Sequence, residues 1–217
     1  MKFRLRRKKF RWHWLRRAAV AVRDFLLQVW TRVVRLWRRL SGELQRRAVL
    51  AQLEPGDIIL ASPPTRRLSP VALGYRLVLG ARYVHSMLYI GRGRIVHTTS
   101  RFGVVVGKAP RGIYRKDRYT ILRVRGLSLD QQRRLVEKAL RWQGRRLDTA
   151  GLVANIPKRL LGIRRRRRRN EDVDRVWCSK FVAVVFRRVG VQLLPEDELD
   201  SVTSDDLLRS PALTRIR

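Results

Sequence analysis

The sequence predicts an α+β domain: a small antiparallel sheet packed against a helix that carries the only cysteine, with a basic amphipathic helix added in front. Three observations lead there. Short runs of β-forming residues, bounded by glycine and proline turns, recur between residues 58 and 125. Apolar residues at helical spacing flank them, at 14–44 on one side and at 128–142 and 179–189 on the other. Apolar residues make up 45% of the 217-residue chain, enough for one real core with length left over for an extension.

The extension comes first. Residues 1–50 are dominated by Arg and Lys, and their only acids are Asp24 and Glu43. From Trp14 on, Leu15, Ala18, Val22, Phe25, Leu26, Val29, Val33, Leu36, Trp37, Leu40 and Leu44 recur at helical spacing, with arginines largely between them. Such a helix, carrying Trp12, Trp14, Trp30 and Trp37 with basic partners such as Arg16 and Arg35, suits a membrane interface. The plainer reading is a helix packed on the domain by its apolar stripe. The whole chain has 51 Lys and Arg against 17 acids, a net charge of +34, so its surface attracts polyanions. An anionic membrane is the expected partner. Nucleic acid is the weaker option, because no nucleic-acid-binding motif accompanies the charge. No apolar run reaches the roughly 20 residues needed to span a bilayer. The short run 18–22, ended by Arg23-Asp24, does not read as a cleaved signal. A cytoplasmic protein held peripherally on a membrane is therefore expected.

The domain proper is expected over 51–217. Glu54-Pro55-Gly56-Asp57 makes a turn into the apolar strand Ile58–Ala61. A loop with three prolines follows, then a short helix over 71–79. Strands are expected at 83–90 and 94–98 around Gly91-Arg92-Gly93, then at 104–106 and 119–125. Ser128 and Gln131 form a capping-box pattern at the start of the next helix, and the turn 144–148 leads to an apolar stretch over 149–156. The arginine run 164–169, followed by acids, reads as a solvated loop able to touch anionic lipid. A helix over 179–189 opens at Cys178 and stops at Gly190. Thr203 or Ser204 caps one short last helix.

The lone thiol carries the chemistry. A helix N-terminus offers free N–H groups and partial positive charge, and both favour a thiolate. His85 shares a strand face with Met87 and Tyr89. If the hairpin loop is the three residues 91–93, Met87 faces His97 and the two imidazoles share a face; a strict two-residue loop separates them. Free cysteine is also a common small core hydrophobe, and strand histidines are usually structural. The joint layout points instead to Cys178 attacking an acyl carbon, His85 taking its proton, and His97 orienting His85. One cysteine excludes an internal disulfide and a cysteine-rich zinc site, and thiol chemistry of this kind calls for no cofactor and no metal.

The segments Leu53-Glu54-Pro55-Gly56-Asp57-Ile58-Ile59-Leu60, His85-Ser86-Met87-Leu88-Tyr89-Ile90-Gly91, Arg94-Ile95-Val96-His97, Trp177-Cys178-Ser179-Lys180-Phe181-Val182 and Thr203-Ser204-Asp205-Asp206-Leu207 resemble, in that order, circularly permuted papain-like hydrolases of the NlpC superfamily. The order of His, polar residue and Cys is similar to the YiiX/YebB-like branch and to lecithin:retinol acyltransferase relatives. The resemblance covers roughly residues 53–211. It implies a permuted papain-like fold with Cys178 as nucleophile, His85 as base and His97 as third polar residue. It also implies a hydrolase or acyltransferase for an amide or ester, lipid or lipid-linked, with a peptide or cell-wall amidase and a non-catalytic membrane-binding module as alternatives. Family members carry Gly-x-x-Tyr-Asp before the cysteine segment, and the tyrosine is associated with the oxyanion site. Here Leu147 stands in its place and donates no hydrogen bond, which leaves Tyr75, Tyr83 and Tyr89 as substitutes.

Overall fold

A computed structural model describes residues 5–162 and 175–217, with side chains described from Arg16 onward. The side chains of Trp12 and Trp14 and the arginine run 164–169 lie outside the described residues. Two compact units divide the chain, Met1–Arg47 and Ala48–Arg217.

The first unit is helical. Helix α1, Leu5–Ala51, begins about two turns before the expected start. Along it Val22, Phe25, Leu26, Val29, Trp30, Val33, Leu36, Trp37, Leu40 and Leu44 fall within an arc of about 140°, and all are exposed. Arg16, Arg17, Arg23, Arg32, Arg35, Arg38 and Arg39 all fall outside that arc. Trp30 and Trp37 are 65% and 67% exposed. Among the described residues, no helix is long and apolar enough to cross a membrane.

The second unit is built on β1 (Ile58–Ala61), β2 (His85–Gly91), β3 (Arg94–Thr99), β4 (Gly103–Lys108) and β5 (Tyr119–Val124). A strand at the C-terminal end of the chain, here called β8 (Leu213–Arg215), joins them. The sheet order is β4-β3-β2-β1-β5-β8, and every pairing is antiparallel. The sheet is larger than the small one expected, because β8 is three residues long and shows no alternation in sequence. A second, parallel pair, β6 (Arg146–Leu147) with β7 (Arg175–Val176), was not expected either. Two-residue strands leave no periodic trace.

Alternation sends successive side chains to opposite faces. Ile58, Leu60, Leu88, Val96 and Leu122 form one buried face, packed with Leu135 of α3 (Leu129–Leu140) and with Phe181, Val182, Val185 and Phe186 of α5 (Cys178–Arg187). Each large apolar side chain fully buried there contributes about 1.5–3 kcal/mol. Ile59, Ala61, Met87, Tyr89, Ile95 and Ile121 form the other face, closed in part by Val49, Leu53 and Ile113. By the same alternation His85 and His97 belong to this second face.

The helices start where side-chain caps supply acceptors for their free amides. Ser69 caps α2 (Pro70–Val78), Asp148 caps α4 (Thr149–Leu160), and Ser128 with Gln131 forms the capping box of α3. Thr203 with Asp206 forms a second box at α6 (Ser204–Arg209). Asp206 is 7% exposed. Its burial disfavours charge, but the Thr203 amide and hydroxyl and the Arg159 guanidinium outweigh this and hold the carboxyl below the usual range. Arg159 reaches it through both terminal nitrogens, at 2.8 and 2.9 Å, and so ties α4 to α6.

Candidate active site

The β2–β3 turn decides whether the two histidines meet. Gly91, Arg92 and Gly93 all have positive φ, at 90°, 52° and 68°, a left-handed run that glycine tolerates and Arg92 adopts between two glycines. Gly91 pairs with Arg94, and the register shifts between Tyr89 and Gly91. The loop is therefore not the three-residue form expected: a tight turn is followed back into β2 by a bulge at Ile90, which absorbs the extra residue. The effect on parity is the same. Met87 lies opposite His97, and His85 Nε2 stands 3.0 Å from His97 Nδ1. The rings meet edge to face, with centroids 5.2 Å apart and planes at 76°. This bond engages Nε2 of His85 and leaves Nδ1 for another partner.

Helix α5 brings the thiol to the same cavity as the two imidazoles. Trp177 is the extended N-cap residue and contributes no side-chain cap, so Cys178 opens the helix beside uncapped amides. The segment before α6 holds this start in place: the Trp177 indole and the Ser179 hydroxyl both donate to the Val202 carbonyl, each at 2.8 Å. Lys180 Nζ lies 2.5 Å from the Asp200 carboxylate. The Cys178 sulfur, half-buried, lies near the Ser86 amide and the first amides of α5, which favour its ionised form. Ser86 directly follows His85, and its amide lies just beyond the last β2–β3 pair. The sulfur therefore meets β2 next to the histidine.

The electrostatics differ from the expectation. Burial pushes the Cys178 thiol up, and the nearby amides of Ser86 and Ser179 only partly oppose this. Burial, and then the neighbouring His97, lower the His85 pKa from 6.5 to about 3, and burial lowers His97 as well. The resting pair is a neutral thiol and a neutral imidazole, not the thiolate that the helix end alone favours. Desolvation outweighs the helix-end field here.

This state has a consequence for stability. Unfolded, His85 binds a proton near pH 6.5; folded, it stays neutral down to about pH 3. The unfolded chain binds more protons between these values, so stability is full above about 6.5 and falls as pH drops toward 3. A His85→Gln variant is expected to show a flatter dependence, read from denaturant midpoints at about pH 7, 5.5 and 4.5. An unchanged slope would mean that the imidazole is not held neutral.

Cys178, His85 and His97 line one cavity of about 680 Å³, a volume suited to a small organic ligand. Much of its wall is apolar, with Val71, Met87, Ile95, Leu147 and Leu152 among the lining residues. Of the three substitute tyrosines, Tyr89 lies elsewhere: its hydroxyl accepts the Gly93 amide at 3.0 Å and braces the hairpin turn. Tyr75 and Tyr83 both line the cavity. Two supporting residues carried no signal for this role in the sequence. Asp205 accepts the Arg82 and Tyr83 amides at 2.8 and 3.0 Å and so fixes the approach to His85. Ser204 shares a buried 2.8 Å hydroxyl contact with Ser86.

Comparison with known proteins gives the fold a relative. No family model and no curated protein sequence matches the chain. Among solved structures, the crystal structure of metalloprotein YiiX from Escherichia coli O157:H7, of the domain class DUF1105, matches with a TM-score of 0.54. The identity is 18%, and the match covers 76% of this chain and 97% of that one. The chain thus shares the α+β fold of YiiX. Among the described residues, no three His, Cys, Asp or Glu side chains gather as metal ligands.

Proposed function

We propose that this chain is a thiol-dependent acyl hydrolase or acyltransferase with a permuted papain-like fold of the NlpC type, acting on an amide or ester of a lipid or lipid-linked substrate. The observation that carries the proposal is the His85 Nε2–His97 Nδ1 contact of 3.0 Å, in the cavity that Cys178 also lines. In that arrangement His97 fixes the tautomer of His85 with Nδ1 free. As Cys178 attacks the acyl carbon, its proton passes to His85 Nδ1. The tetrahedral intermediate then collapses, the leaving amine or alcohol takes that proton, and a thioester remains on Cys178. Water or a second nucleophile, deprotonated by the same imidazole, breaks the thioester and frees the thiol. Because the groups rest neutral, charge is created only during attack, inside a cavity whose helix-end amides favour it.

The apolar cavity wall favours an acyl chain over a polar peptide. The arginine face and exposed apolar arc of α1 suit attachment to an anionic bilayer, where such a substrate would be found. Incubating the full chain with p-nitrophenyl octanoate and trapping it in acid should yield an octanoyl adduct on Cys178 by peptide mass spectrometry. A chain that never acquires the adduct while its substrate is consumed would refute the thioester. The non-catalytic reading, which Leu147 and the raised thiol pKa favour, requires that neither adduct nor turnover occurs.

A further inference from the structure

Acyl transfer creates an oxyanion, and backbone amides at Cys178 and Ser86 supply only part of the field it needs. The cavity holds several hydroxyls, and some already have partners: Ser179 donates to the Val202 carbonyl, Thr203 to the Asp206 carboxylate, and Ser204 shares a hydrogen bond with Ser86. Tyr75 also has a partner, the Leu152 carbonyl, but it combines burial with nearness to the sulfur. It is 7% exposed, lines the same cavity as Cys178, and stands close enough for a charge on the sulfur to act on its phenol.

From these contacts we propose that Tyr75 is the side-chain oxyanion donor of the thiol site; the proposal rests on the acyl-transfer reading above. Helix α2 delivers the phenol to the first turns of α4, where its hydroxyl donates to the Leu152 carbonyl at 3.0 Å and lies near the Asn155 amide. Asn155 is itself buried and anchored to the Ser201 carbonyl at 2.9 Å. The phenol oxygen is thus held in place while its hydrogen remains free to turn about the C–O bond. Burial raises its pKa from 10.0 to about 12, so it stays a neutral donor at any working pH. When the tetrahedral oxygen forms, the hydrogen turns from the Leu152 carbonyl to the stronger, charged acceptor. No bond to Tyr75 is made or broken, and the proton stays on the phenol.

The test compares Tyr75→Phe with wild type in two reactions at the same sulfur. Turnover of p-nitrophenyl octanoate passes through an oxyanion; alkylation by iodoacetamide does not. We expect kcat to fall roughly 10²–10³-fold with KM little changed, while alkylation of Cys178 keeps the wild-type rate. Unchanged turnover in Tyr75→Phe would overturn the proposal, and so would a parallel loss of alkylation, which marks a structural role. Loss of turnover in Tyr83→Phe alone would move the assignment to Tyr83. Cys178→Ala runs alongside: if it turns over like wild type, the thiol reading itself has failed and the Tyr75 assignment falls with it.

Discussion

Cys178→Ala is expected to remove acyl transfer by roughly 10⁴-fold or more, and His85→Ala by a similar factor. The two losses should not add in the double variant, because sulfur and imidazole act as one unit. The neutral resting pair makes the dependence on His85 stricter. A preformed thiolate would keep part of its reactivity without a base, but a buried thiol with a raised pKa has nowhere else to send its proton. His97→Asn should lose far less, on the order of 10–100-fold, since an amide oxygen can still accept the hydrogen bond from His85 Nε2. The measurement is kcat/KM for p-nitrophenyl octanoate with each purified full-length chain. Equal rates for wild type and Cys178→Ala would refute the thiol mechanism.

Removing residues 1–47 should release the protein from anionic vesicles. The arginine face of α1 adds about 1 kcal/mol per residue close to the lipid surface. The arc from Val22 to Leu44 then buries apolar area at roughly 25 cal/mol per Å². Salt screens the first contribution and not the second. Vesicle binding of the full chain, followed by co-sedimentation with phosphatidylglycerol-containing vesicles, should therefore fall with rising salt yet not vanish. A cut after Arg47 spares Val49 and Leu53, which fill the second face of the sheet, and Cys178 should remain alkylatable in the shortened chain. Binding that disappears completely at high salt would deny the apolar arc any part in it. A shortened chain that fails to fold would assign the arc to packing.

How much of this was legible before the structure depended on the range of the contact involved. The capping box at Ser128, a cap at Thr203 or Ser204 and the helix opening at Cys178 are local patterns; the structure has the box at Ser128, a cap at Thr203 and the helix start at Cys178. The shared parity of His85 and His97 was also legible, through the two-residue period of strands and the glycines around Arg92. The bulge at Ile90 was not, because turn length and bulge trade against each other without altering composition. The thiol's state was hidden for a different reason. Helix ends can be read from sequence, whereas the enclosure that opposes them is a property of the assembled cavity. Tyr75 likewise could not be ranked against Tyr83 and Tyr89, since its partners Leu152 and Asn155 lie far along the chain. Strands β6, β7 and β8 exist only because longer elements bring them side by side.

The topology of the site also sets an order of events during folding. The two imidazoles stand twelve residues apart across a hairpin of the kind that closes within about 1–10 μs. The thiol must close a loop of roughly ninety residues to reach them, which adds on the order of 2 kcal/mol of chain entropy at the moment of closure. On this closure entropy the histidine pair is expected to assemble before its sulfur arrives. Until α5 docks, Cys178 is an ordinary solvent-facing thiol, more open to oxidation than in the native state, where burial raises its pKa. The interval between hairpin and docking is when this protein is most exposed to irreversible chemical damage.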